Sequence, residues 1–181
     1  MADALALDLV DKGLATNQLV LTVGYDIENL TDPQRSRNYR GSVTTDRYGR
    51  KIPKHAVGTE NFPYTSLSSD LLRAVTALYD RIVNPNLLIR RLSISANKLL
   101  DEASVPKGEE TGEQLDLFTD YAAKEQQAQA DEATHAKERK IQEAMLGIKK
   151  KYGKNAILKG MNLEDGATAR ERNQTIGGHQ A

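Results

Sequence analysis

Apolar positions change rhythm several times along this chain. Over residues 2–12, Leu5, Leu9 and Lys12 keep helical spacing and Gly13 stands where a helix stops, so a first helix is predicted there. From Gln18 to Tyr25 the period drops to two. Leu19, Leu21, Val23 and Tyr25 alternate with Val20, Thr22 and Gly24, the pattern of a strand with one buried face. A second strand is predicted over residues 56–63. The clearest helical stripe covers 68–83, where Leu71, Leu72, Val75, Leu78, Tyr79, Ile82 and Val83 share one side. Ser66, Ser68 or Ser69 is available to cap its start, and Asn84-Pro85 stops it. A third strand over 88–97 sets Leu88, Leu92, Ile94 and Ala96 on one rhythm and Arg91, Ser93 and Ser95 mostly on the other. Helix, strand, loop, strand, helix, strand is the order of an α+β fold. Its small antiparallel or mixed sheet would be covered on one face by two helices and left polar on the other.

Residues 27–55 interrupt this regularity. They are polar, and Asp46-Arg47-Tyr48-Gly49 is placed to turn a hairpin within them. A connection so long without core content is functional or disordered. After residue 100 the composition shifts again. Residues 101–113 are rich in Gly, Glu and Lys, which reads as a linker, and Gln114-Leu115-Asp116-Leu117-Phe118 interrupts it with three large apolar side chains. Residues 119–152 read as one long helix, with only Ala on any face of its first half and Ile141, Met145, Ile148 and Tyr152 striping its second. The predicted organisation is a domain over 1–100, a flexible acidic tether with its peptide over 101–118, the helix over 119–152, and a tail over 153–181 with little fixed structure. The first helix starts almost at Met1 with no capping run before it, which reads as the cut end of a longer chain.

Composition narrows the classes. At 39% hydrophobic and 28% charged over 181 residues, the chain is lean for one packed globule. Its formal net charge of zero hides segregation. Residues 1–100 carry 13 Lys and Arg against 10 acids, residues 101–135 carry 2 against 10, and residues 136–181 carry 10 against 5. With no Cys there is no disulfide framework and no Cys-ligated zinc, and His55, His135 and His179 have no metal spacing. No membrane-length apolar run and no basic leader are visible, so a cytoplasmic place and no membrane partner are expected. No phosphate loop, nucleophile–base pair or paired carboxylates stand out, and Asp3, Asp8 and Asp11 read as a solvated helix face.

Two patterns remain. Arg91, Ser93 and Ser95 on one strand face adjoin a loop with Arg35, Arg37, Arg40, Arg47, Arg50, Lys51 and Lys54, in which Asp46 is the one acid between residues 33 and 54. Cations with small hydroxyls suit a phosphate backbone, read without sequence preference. The plain alternative is a solvated basic loop. Around Gln114, burying two Leu and a Phe in a partner would contribute roughly 5–8 kcal/mol before ordering costs. The alternative is that Leu117 and Phe118 fold back on the domain or staple the following helix.

Three stretches carry a resemblance: Leu19-Val-Leu-Thr-Val-Gly-Tyr-Asp-Ile-Glu28, Arg47-Tyr-Gly-Arg-Lys-Ile-Pro-Lys-His-Ala-Val-Gly-Thr59 and Arg172-Asn-Gln-Thr-Ile-Gly-Gly-His179. Over nearly its whole length the chain resembles the C-terminal part of the UmuC-like, DNA polymerase IV-like Y family of bacterial translesion DNA polymerases. The resemblance implies that residues 1–100 are a little finger domain gripping DNA through its sheet, with Thr59 and Asn61 joining Ser93 and Ser95 as close-approach groups. It implies that Gln114, Leu115, Asp116, Leu117 and Phe118 dock onto the β sliding clamp, fitting the family pattern at all five positions. It also implies a role in error-prone repair synthesis and the SOS response, with the tail open to other repair proteins. The palm with its metal-binding carboxylates is absent from this sequence, so Mg2+ is expected for the full polymerase and no cofactor for this portion. The strand that opens the family's little finger before its first helix is absent too, which would leave a sheet edge unpaired. A non-enzymatic adaptor, joining a partner through the long helix, is the competing reading.

Overall fold

The structure is a computed structural model that describes residues 1–105, 121–176, 179 and 180. Helix α1 (Ala2–Lys12) stops where Gly13 turns left-handed at φ 65°, its N–H returning to the Leu9 and Val10 carbonyls. Strand β1 (Leu14–Tyr25) follows at once. It is the centre of a three-stranded antiparallel sheet, flanked by β4 (Ala56–Thr65) and β5 (Ile89–Asp101). Helix α4 (Ser68–Ile82) connects the two outer strands.

The predicted inward row is buried as expected. Leu19, Leu21, Val23 and Tyr25 pack against Ala6 and Leu9 of α1 and Leu71, Ala74 and Leu78 of α4. Two helices therefore cover one face of an α+β sheet. Strand β1 begins four residues before the predicted start because a register shift between Thr16 and Gln18 breaks the alternation. The buried Thr16 hydroxyl donates to the Asn97 carbonyl at 2.6 Å, and Leu14, Ala15 and Thr16 pair with β5 as far as Asp101.

The polar stretch 27–55 is built, not loose. It holds α2 (Glu28–Thr31), α3 (Pro33–Asn38) and a hairpin of β2 (Val43–Thr45) with β3 (Lys51–Pro53), turned at the predicted Asp46–Gly49. Side-chain bonds to backbone replace apolar packing here. The Asn29 amide is fully buried. Its Nδ2 donates to the carbonyls of Asp26 and Leu88, and its Oδ1 accepts from the Leu88 N–H, each at 2.9 Å. Asp32 caps α3 by accepting from the N–H groups of Gln34 and Arg35 at 2.8 and 2.9 Å.

The long helix α5 (Tyr121–Tyr152) lies against α1 and the start of α4, and its attachment is polar. Arg139 donates to both carboxylate oxygens of Glu102, at 2.9 and 2.6 Å, and to the Ser66 hydroxyl at 2.8 Å. Glu138 accepts from the N–H and hydroxyl of Ser69 in the first turn of α4. Gln142, only 3% exposed, donates to the Ser66 carbonyl and Ser68 Oγ. Lys150 bonds Asp11 of α1. The apolar stripe is only partly engaged: Met145 is half-buried, whereas Ile141 is 50% exposed and Tyr152 67%. Most partners of α5 are carboxylates, hydroxyls and helix-end backbone, which a polar face satisfies, and Met145 and Leu146 share a cleft with Ala4 and Leu7 of α1. Beyond it, where little fixed structure was expected, come a 3-10 turn (Gly160–Leu163), α6 (Ala169–Asn173) and the pair β6 (Thr175–Ile176) and β7 (His179–Gln180). The peptide Gln114–Phe118 lies outside the described residues. Among the described residues no helix is long and apolar enough to cross a membrane.

Candidate nucleic-acid interface

The antiparallel register fixes which side chains share the face that the helices leave bare. Val20 lies between Thr59 and Ser95, Thr22 between Val57 and Ser93, and Gln18 between Asn61 and Asn97. Gly24 sits opposite Arg91. Residues opposed across an antiparallel pair point the same way, so these rows form one continuous surface. None of the row positions is acidic. Glu60, the acid within β4, belongs to the helix-covered row, where it pairs with Arg81 at 2.7 Å. The face is preordered along one edge. Gln18 Nε2 donates to Asn61 Oδ1 at 2.8 Å, and Asn97 Nδ2 reaches Gln18 Oε1 at 3.4 Å.

Charge gathers at the other end of this face. Arg91 and His55 both approach β1 at Gly24, where a Cβ would lie 3.6 Å from Arg91 Cβ and 3.7 Å from His55 Nε2, in ordinary contact. Lys54-His55 leads from the hairpin into β4, which roots the hairpin at this cationic end. The hairpin carries Arg47, Arg50 and Lys51, all exposed, and exposes both faces over most of its length.

Its tip is rigidly built. Asp46 Oδ1 accepts from the N–H of Tyr48 at 2.9 Å and of Arg50 at 3.0 Å, and its Oδ2 pairs with the Arg50 guanidinium at 2.7 Å. Partial desolvation pushes the Asp46 carboxyl up, but the bonds from Arg50 and the two N–H groups outweigh it and hold the group below the ordinary aspartate range. Gly49 adopts φ 78°, the left-handed residue such a turn requires. Around Tyr48 the Arg47 guanidinium carbon stands 4.8 Å from the ring centroid and that of Arg50 stands 5.1 Å away. On α3, Arg35 and Arg37 occupy the last turn, while Arg40 folds back to donate to the carbonyls of Arg37 and Tyr39.

Of the residues singled out from the sequence, Thr59, Asn61, Arg91, Ser93 and Ser95 meet on the open face. Arg47, Arg50 and Lys51 stand on the hairpin, with Lys54 at its root. Arg35, Arg37 and Arg40 belong to the separate α3 segment. Gln18, Asn97 and Tyr48 complete the surface and were not singled out. Both amides stand on the alternation of the open row, at its end, where a register shift precedes Gln18 and the left-handed Lys98, at φ 49°, follows Asn97. Tyr48 was legible only as a turn residue. Over 127 residues, 70% of its length, the chain is 27% identical to a Bacillus subtilis (strain 168) protein described as "Putative UV-damage repair protein UvrX". It spans 25% of that relative's length. No protein-family model and no solved structure matches the chain.

Proposed function

We propose that this chain is the DNA-holding and clamp-docking portion of a bacterial translesion DNA polymerase of the UmuC-like Y family, acting in the repair of damaged DNA. The observation that carries the reading is the acid-free polar sheet face ending in Arg91, beside a basic hairpin. Such a surface attracts a phosphate backbone, admits it closely through small hydroxyls and amides, and presents no helix to a major groove. The similarity to a protein whose description names UV-damage repair supports the same direction. Binding is sequence-independent. Gln114, Leu115, Asp116, Leu117 and Phe118 dock onto the β sliding clamp, which holds the polymerase at the primer end so that a weak DNA grip suffices. Mg2+ chemistry belongs to the palm of the full polymerase.

Fluorescence anisotropy with a labelled duplex tests the DNA arm. Affinity falls steeply with salt, and Arg91→Ala lowers it and flattens the salt slope by about one. Salt-independent binding refutes phosphate contact. Titration with the clamp tests the second arm: wild-type chain binds, and Gln114→Ala with Phe118→Ala abolishes binding. Equal affinities refute docking.

A further inference from the structure

Tyr48 has no task in the reading above. Phosphates call for charge, and the ring lies outside the apolar core, 66% exposed at the tip of a projecting ribbon. Yet it is held with care. Its N–H is fixed by Asp46, the following Gly49 closes the turn, and Arg47 Nη2 donates to its hydroxyl at 2.7 Å. The two flanking guanidinia differ. Arg50 is neutralised by Asp46, whereas Arg47 pairs with no carboxylate among the described residues. The tip thus joins a solvent-facing aromatic ring to one cation with charge to spare.

We propose that Tyr48 is a stacking platform for an unpaired nucleobase of a DNA strand leaving the duplex held on the sheet. This deepens the DNA-holding reading and rests on it. Inside a duplex the base faces are hidden, so an exposed ring at the hairpin tip finds an unpaired base only on a single-stranded stretch. Every base offers such a face, so the contact is sequence-tolerant, in keeping with a backbone grip. A base lies against the ring in place of the Arg47 guanidinium, which turns to the flanking phosphate. Asp46 keeps Arg50 and the turn in position meanwhile.

The test uses the full chain and two labelled DNAs, a blunt duplex and the same duplex with a short single-stranded overhang. Wild-type chain favours the overhang DNA. Tyr48→Ala loses roughly 5- to 140-fold in affinity for the overhang DNA and leaves the blunt duplex unchanged. Tyr48→Phe, which keeps the ring, retains the preference. Tyr48→Ala binding both DNAs like wild type, or weakening both equally, overturns the platform. If Arg91→Ala weakens both DNAs while Tyr48→Ala affects neither, the stacking role alone falls. If wild-type chain binds neither DNA, the DNA-holding reading falls and takes this one with it.

Discussion

Gly58 is where the sheet and the helix layer come closest, and adding one methyl there is a sharp probe of the fold. It lies opposite Leu21 on the covered face of β4. A Cβ at this position would meet Leu78 Cδ2 and Ile82 Cγ2 of α4, both at 2.8 Å, and Ile82 Cδ1 at 3.3 Å. Each 2.8 Å contact is about 0.7 Å inside the carbon–carbon optimum of about 3.5 Å. Ile82 is only partly covered and has room to turn, but Leu78 is fully buried and must move against the core. Overpacking of this kind costs about 1–3 kcal/mol. Against it stands the restricted unfolded chain of Ala, a gain of about 0.4–1 kcal/mol because the backbone here is not left-handed. Gly58→Ala is therefore destabilised by up to about 2.6 kcal/mol, and by about 1.3 kcal/mol at the middle of these ranges, a loss of a few degrees in melting temperature. Urea denaturation followed by circular dichroism measures it, with Thr59→Ala on the bare face as a control that changes stability by less than about 0.5 kcal/mol. A Gly58→Ala protein as stable as wild type, or more so, would refute the claim that β4 and α4 leave no room between them.

Asn29→Ala strands the Leu88 N–H, while the Leu88 and Asp26 carbonyls keep the bonds they accept from the Asp26 and Asn29 N–H groups, and it costs about 1–3 kcal/mol in the same denaturation experiment. An unchanged midpoint refutes its role as the tie between α2 and β5. Asp32→Ala removes the cap of α3 and weakens that helix by about 1 kcal/mol. Hydrogen exchange at Gln34 and Arg35 speeds up, while exchange in β1 does not change. For Asp46 the folded-state pKa lies below the unfolded one. Its contribution to the hairpin is whole above the ordinary aspartate value of about 3.9 and is lost as pH falls through the lowered folded value. The amide resonances of Tyr48 and Arg50 titrate with a midpoint below that value, and a midpoint at or above it refutes the network.

The sheet and its two covering helices were legible because their residues obey periods of 2 and 3.6. The inward row of β1 and the stripe of α4 need nothing but burial to explain them. The parts that escaped depend on polar bonds between residues far apart in sequence. Nothing in the hydropathy of residues 27–55 shows that Asn29 bridges to Leu88, or that Asp32 and Asp46 each organise a turn. The docking of α5 escaped for a related reason. Its partners, Glu102, Ser66 and Ser69, are recognisable only once β5 and α4 have come together. Its apolar stripe pointed instead to a face of which the fold half-buries Met145 and leaves Ile141 and Tyr152 in water. The bare sheet face was half legible, since alternation identified Ser93, Ser95 and Arg91, whereas the pairing of Gln18 with Asn61 and Asn97 depends on the register of three strands.

The clasp between Arg139 and Glu102 has a consequence for how the polypeptide holds together. Glu102 ends the sheet segment and Arg139 belongs to the stretch that resumes at Tyr121, so the chain on either side of residues 106–120 is fastened to one body without help from the peptide bonds between. A protease cut within 106–120 then yields two pieces that travel as a single particle. Raising the ionic strength, which screens the exposed part of the clasp, weakens their hold, while the neutral bonds of the buried Gln142 resist it. Arg139→Ala loosens the hold between the severed pieces, which Glu138, Gln142 and Lys150 still share.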